Sequence, residues 1–218
     1  MRIKKEDLLL YVVTDRSWLG TGNLYEQVES VIKAGATMVQ LREKNLPKDE
    51  FIKEAMQMKK ITSKYQIPLI INDNIDVTLA SGADGVHLGQ EDEQIALARA
   101  KLGADRIIGL SAHNVYEAMK AEEYGADYIG VGAVFGTTTK SDANHISMDT
   151  IKKIRGAVQL PMVAIGGITK ENILQLNGSG VDGVAVISAI FAQPDPACAA
   201  REMIELSKTM VRSNHIFT

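Results

Sequence analysis

Cysteine is almost missing: Cys198 is the only one in 218 residues. An intramolecular disulfide is therefore excluded, and a reducing, cytoplasmic setting is expected. Cys198 lies in "DPACAAREM", an alanine-rich helical pattern with no His or Asp signature around it, so it reads as a small core residue and not a nucleophile. Long apolar runs are also missing. None reaches the roughly 18 residues that span a bilayer, so no membrane segment is expected. The opening "MRIKKEDLLLYVVTD" has basic residues before an apolar stretch. That stretch is short, ends in Asp15 and lacks a small-residue cleavage site, so it reads as a first strand, not a signal peptide. There is no basic tract: 24 Lys and Arg stand against 27 Asp and Glu, a net charge of −3, which gives no footprint for nucleic acid. The spacing of the four histidines proposes no zinc site, and no Ser, His and Asp pattern proposes a triad.

What the chain does have is repetition. "KAGATMVQL" (33–41), "SGADGVHLG" (81–89), "YGADYIGVG" (124–132) and "SGVDGVAVI" (179–187) each run from a glycine closing a helical pattern into an apolar strand. The glycine suits the left-handed residue after a helix end. Four more apolar runs lie between them: "LLLYVVTD", "IPLIIND", "RIIGLSAH" and "LPMVAIGG". Pro68 and Pro161 begin two of these, where a missing N–H is tolerated. Amphipathic patterns such as "NLYEQVESVIKAG" and "DEFIKEAMQMKKITSKYQ" separate most of the runs. Near-continuous apolar strands alternating with helices indicate parallel strands covered by helices. Eight such units average about 27 residues each, the size expected of a (β/α)₈ TIM barrel. An open doubly wound sheet is disfavoured, because no "GxGxxG" follows the first strand. No linker divides residues 1–218, so a single domain is expected, with its site at the C-terminal ends of the strands.

Those strand ends are polar or glycine in all eight units. Asp73 and Asp92 follow neighbouring strands, whose backbones lie about 5 Å apart. Two carboxylates together with substrate phosphate oxygens suit Mg²⁺. Asp92 reads equally as a helix N-cap, and Asp73 as a turn residue. Arg42 and Lys44 of "QLREK" and Lys140 are placed to meet phosphate oxygens, although an exposed "REK" can also be a solvated charge run. Gly166-Gly167 and the "VISAI" segment end the last two strands, where barrels commonly bind phosphate. Gly166-Gly167 also reads as a tight turn. Between these regions lies "GAVFGTTTK", a cluster of hydroxyls and one lysine. His87 reads as a satisfied wall or core residue, and His113 can line the mouth.

The blocks "YVVTD", "QLREK", "IND", "GVHLGQED", "GLSAH", "ADYIGVGAVFGTTTK", "VAIGGIT" and "DGVAVISAI" resemble, in order and spacing, the thiamine phosphate synthase family. The resemblance covers the chain from first strand to last helix. It implies a (β/α)₈ barrel and a Mg²⁺-dependent transferase that joins hydroxymethylpyrimidine diphosphate to hydroxyethylthiazole phosphate, releasing pyrophosphate. It implies that Gln40, Leu41, Arg42, Glu43 and Lys44 bind the pyrimidine diphosphate, with Asn72, Ser111 and Lys140. Asp73 and Asp92 would be the metal ligands. Thr137, Thr138 and Thr139, with Gly167, Ile187 and Ser188, would bind the thiazole phosphate. Gly136 to Asn144 would form a lid that shuts over both substrates. Two departures stand out. Ala133 replaces a frequent proline, which predicts a looser turn, and Asn74 replaces a frequent arginine. Related thiazole tautomerases, or a non-catalytic thiazole phosphate-binding barrel, are the alternatives.

Overall fold

A computed structural model describes residues 3–90, 92–136 and 145–214, with backbone alone for 92–96. Eight parallel strands close into one barrel in chain order: β1 Leu10–Val13, β2 Met38–Leu41, β3 Leu69–Asn72, β4 Gly85–Leu88, β5 Ile107–Ala112, β6 Tyr128–Val131, β7 Met162–Ile165 and β8 Gly183–Val186. The helices α1 Leu24–Lys33, α2 Lys48–Lys64, α3 Ile75–Ser81, α4 Asp92–Leu102, α5 Val115–Glu123 and α6 Met148–Ala157 follow the first six strands in turn. A 3₁₀ turn, Ile173–Leu176, stands between β7 and β8, and α7 Ser188–Phe191 and α8 Pro196–Asn214 complete the order.

Local chemistry accounts for these elements. In α1, Leu24, Val28, Val31 and Ile32 form one buried face. Each contributes roughly 1.5–3 kcal/mol by leaving water. The side chains of Asn23, Asn74, Asn114 and Ser147 cap α1, α3, α5 and α6 by accepting first-turn N–H groups. Asn74 thus serves as a cap, where the family resemblance left a cation missing. Among the described residues, no helix is long and apolar enough to cross a membrane.

The four sequence repeats correspond to four latches at the N-terminal end of the barrel. Just before β2, β4, β6 and β8, the side chains of Thr37, Asp84, Asp127 and Asp182 accept the backbone N–H of Leu10, Leu69, Ile108 and Met162, at 2.8–2.9 Å. Each ties an even strand to the start of the odd strand before it. The three aspartates are also met by a cation from the helix that leads into the odd strand of the pair: Lys59 of α2 at 2.7 Å, Arg99 of α4 at 2.8 Å and Arg155 of α6 at 3.6 Å.

Cys198 is exposed, contrary to the expectation of a core position. The buried face of α8 carries Ala200, Met203, Ile204, Ser207 and Met210. A residue two places before Ala200 lies about 200° round the helix from it, and so faces outward.

Candidate functional site

The interior of the barrel is filled at its lower end and open above. Leu8, from a 3₁₀ turn at Lys5–Leu8, packs with Tyr11, Met38, Ile70, Ile107, Tyr128, Val163 and Ala185. The ring of Tyr128 fits because Gly109 faces it: a Cβ there would stand 2.1 Å from Tyr128 Cζ. Above this plug is a cavity of about 210 Å³. It is lined by Gln40, Arg42, Asn72, Asp73, His87, Ser111, Ile187 and Ser188, among others.

A row of hydrogen bonds crosses the cavity floor. Gln40 Nε2 donates to Tyr11 Oη at 2.5 Å, Tyr11 Oη meets Tyr128 Oη at 2.9 Å, and Tyr128 Oη meets His87 Nδ1 at 3.0 Å. His87 Nε2 then lies 3.1 Å from Ser111 Oγ. Burial lifts both phenols above their ordinary range, so each keeps its proton. Gln40 can only donate here. The arrangement that uses every proton in the row therefore runs from Tyr11 to Tyr128, and from Tyr128 to His87 Nδ1. In that arrangement the ring proton lies on Nε2 and points to Ser111. Ser111 and His87 are thus close enough to suggest an activated nucleophile, but in that arrangement the imidazole donates to the serine.

The end of β2 divides its residues by direction. The side chain of Leu41 points outward and is fully buried in the layer between strands and helices. Only its backbone therefore faces the barrel mouth, so a contact of Leu41 with substrate would be made by main-chain atoms. Arg42 is anchored by Asp15 at 3.4 Å, and its amide donates to Thr14 Oγ1 at 3.0 Å. It lines both the cavity and a neighbouring polar recess shared with Lys44, Lys48, Asn72 and Asp73. Lys44 is exposed and has no ion pair among the described residues. Glu43 lines the recess too, but its carboxylate is bonded to Arg16 at 2.7 Å.

Asp73 directly follows β3 with φ +60°, its amide donating to His87 O at 2.9 Å. Its carboxylate accepts from Asn72 Nδ2 at 2.6 Å and has no cationic partner among the described residues. Exposed, oxygen-only and lining the same recess as Arg42 and Lys44, it fits one arm of a Mg²⁺ site. No cluster of three or more metal-binding side chains occurs among the described residues. Asp92 is the first residue of α4, and its side chain lies outside the described residues.

On the opposite wall, Gly166 and Gly167 have φ +102° and +63°. A Cβ on Gly167 would stand 2.2 Å from Gly136 O, so only glycine lets these backbones meet. Gly136, the last described residue before the threonine cluster, stands beside the end of β7. Thr137, Thr138, Thr139 and Lys140, and the expected lid to Asn144, lie outside the described residues. The turn at Ala133 is not loose. Val134 and Phe135 amides donate to Ile165 O and Gly166 O at 3.0 and 2.9 Å, and Ile146 N donates to Ala133 O at 2.9 Å. Ile187 and Ser188 line the cavity on this side, as does His113 at the mouth.

Tyr11 and Tyr128 are absent from the candidates read from sequence. Both lie in apolar runs buried on two faces, where alternation does not show which side chains point into the barrel. The signal available was a single hydroxyl-bearing aromatic in each otherwise aliphatic strand.

Comparison with known proteins agrees with this geometry. The pattern of the family described as thiamine monophosphate synthase matches residues 10–190. The chain is 48% identical over 206 residues to the thiamine-phosphate synthase of Clostridium acetobutylicum, covering 94% of this chain and 98% of that one. It is 49% identical over 202 residues to that of Ruminiclostridium cellulolyticum, covering 93% and 96%. The solved thiamine phosphate pyrophosphorylase of Pyrococcus furiosus superposes with a TM-score of 0.87 at 39% identity, covering 95% of this chain and 98% of that one. With its barrel, its two-sided mouth and this extent of similarity, the chain belongs to the thiamine monophosphate synthase family.

Proposed function

We propose that this protein is a transferase that joins hydroxymethylpyrimidine diphosphate to hydroxyethylthiazole phosphate, giving thiamine phosphate and pyrophosphate. The observation that carries the reading is the family match across residues 10–190, combined with a cavity that opens on one side to cations and on the other to glycine backbone. The relatives reported above are synthases, so the tautomerase and non-catalytic alternatives are not pursued.

In this reading Arg42 and Lys44 hold the diphosphate in the recess, with Asn72 beside them and Lys140 joining from the loop after β6. Gln40 and Ser111 hold the pyrimidine over the polar floor. The backbone at Gly167, Ile187 and Ser188, with Thr137, Thr138 and Thr139, holds the thiazole phosphate. Asp73 and Asp92 would hold Mg²⁺, which when bound supplies countercharge to the departing diphosphate. Cleavage of the bond between methylene carbon and diphosphate oxygen leaves a cation that the electron-rich ring stabilises, and the thiazole nitrogen then attacks that carbon. No protein nucleophile is required, which suits a Ser111 that receives a hydrogen bond from His87. Arg42 and Lys44 stabilise the negative charge growing on the leaving oxygens, and the apolar side chains of Ile165, Ile168, Val186 and Ile187 in the cavity lining help to keep water from capturing the cation.

The test is pyrophosphate release by purified protein with both substrates and Mg²⁺. Release that depends on both substrates is expected. No release, or release without thiazole phosphate, would overturn the reading. Asp73→Asn should raise the Mg²⁺ concentration needed for half-maximal rate at least tenfold.

A further inference from the structure

Beside the diphosphate recess lies a charged cluster that the mechanism above does not use. Arg16 begins a 3₁₀ turn, Arg16–Trp18, just after β1. Its Nε donates to Glu43 Oε1 at 2.7 Å, and a terminal nitrogen pairs with Glu54 Oε2 on α2. The two glutamate side chains are only 5% and 7% exposed. One cation thus serves two buried carboxylates, and Glu54 Oε1 is buried with no hydrogen-bond partner among the described residues. Other charged or titratable groups nearby are Asp15, which pairs with Arg42, Lys44, and Tyr25 on α1, whose phenol is raised by burial and by Glu54.

The arrangement has a consequence for anion binding. Glu43 sits in the chain between Arg42 and Lys44, and all three line the same recess. A carboxylate released there would repel a diphosphate and compete for both cations. We propose that Arg16 is a positioning residue for the diphosphate end of the site: it holds Glu43 and Glu54 aside so that Arg42 and Lys44 remain available to the anion. The proposal rests on the reading of that recess as a diphosphate site. Burial and the charge of Glu54 push the Glu43 carboxyl up to about 7, which agrees with one cation being insufficient for two carboxylates. Trp18, the only tryptophan in the chain, lines a recess together with Arg16, Arg42, Glu43 and Lys44 and can report what enters it.

Two readouts test the proposal on the full chain: steady-state kinetics with both substrates, and titration with inorganic pyrophosphate followed by Trp18 fluorescence and by calorimetry. Arg16→Gln should raise KM for the pyrimidine diphosphate and Kd for pyrophosphate about tenfold, with KM for thiazole phosphate changed less than twofold. In Arg16→Gln/Glu43→Gln, most of the lost affinity should return, because no freed carboxylate is left at position 43. A merely structural role for Arg16 would make the double variant no better than the single one, and that result overturns the proposal. Equal changes in both KM values, or none, also overturn it. Should Arg16→Gln fail to fold, Arg16→Lys is read the same way with about a threefold effect. Pyrophosphate binding without turnover in the parent chain would remove the proposed reaction alone. Turnover unaffected by Arg16→Gln would remove this inference alone.

Discussion

Replacing Tyr128 by phenylalanine tests the floor of the site most directly. The Tyr128 hydroxyl bridges Tyr11 Oη at 2.9 Å and His87 Nδ1 at 3.0 Å from a fully buried side chain. The substitution keeps the ring, so the packing against Gly109 survives. It takes from Tyr11 its acceptor and from His87 this donor. A buried group left without its hydrogen bond costs about 1–3 kcal/mol. Two such losses, partly relieved by shifts of the Tyr11 hydroxyl, come to about 2–4 kcal/mol. For a chain of this size each 1 kcal/mol moves Tm by about 2–4 °C, so a fall of roughly 4–16 °C is expected. Tyr11→Phe should cost a similar amount, because it removes both the acceptor of Gln40 and the donor to Tyr128. The Tyr11–Tyr128 bond is shared, so the double variant should fall short of the sum of the two by about 1 kcal/mol. Thermal and urea unfolding followed by circular dichroism supply these values. Nitrogen-15 spectra of labelled histidine give a second reading: His87 should carry its proton on Nε2 in the parent chain. A Tyr128→Phe shift under 1 °C, strict additivity, or a proton found on Nδ1 would refute the directed row.

Three further outcomes are expected. Asp182→Ala removes the acceptor of Met162 N and the partner of Arg155 and Lys5 at a position almost fully buried, and should cost about 3–5 kcal/mol in urea unfolding. Gly167→Ala forces a left-handed φ onto a residue with a Cβ and drives that Cβ into Gly136 O. It should cost about 1–3 kcal/mol and raise KM for thiazole phosphate more than KM for the pyrimidine substrate. Glu43 sets a pH dependence. Its folded value of about 7 lies above its usual 4.5, so between these values the native chain keeps a proton that the unfolded chain has released. Stability from this group therefore falls as pH rises through that window and levels off above it. Glu43→Gln should flatten that slope in unfolding measured from pH 4.5 to 8.

The eight strands were legible because each apolar run is closed by glycine or polar residues, and because four runs repeat one pattern. Gly35, Gly82, Gly125 and Gly180 all take the positive φ expected after a helix end. Pro68 and Pro161 stand just before β3 and β7, where their carbonyls accept from Val39 and Ile129. The rim of the site was legible for the same reason, since a polar residue that ends a buried strand has only the mouth to face. The interior was not. Tyr11, Tyr128 and the direction of Leu41 depend on which alternate residues point inward, and strands buried on both faces conceal that. Cys198 was misjudged because an alanine-rich helix offers small residues on every side. The Arg16 cluster was hidden by distance in sequence, its partners being 27 and 38 residues away.

The four latches imply an order of assembly. Each closes over a short stretch of chain, 27, 15, 19 and 20 residues. Two-strand quarters can therefore form on contacts that cost little loop entropy, before the ring shuts between its first and last members. A circular permutant opened between β2 and β3 keeps every quarter whole. One opened between β3 and β4 makes the Asp84 latch reach across nearly the entire polypeptide, and it should be the slower of the two to fold.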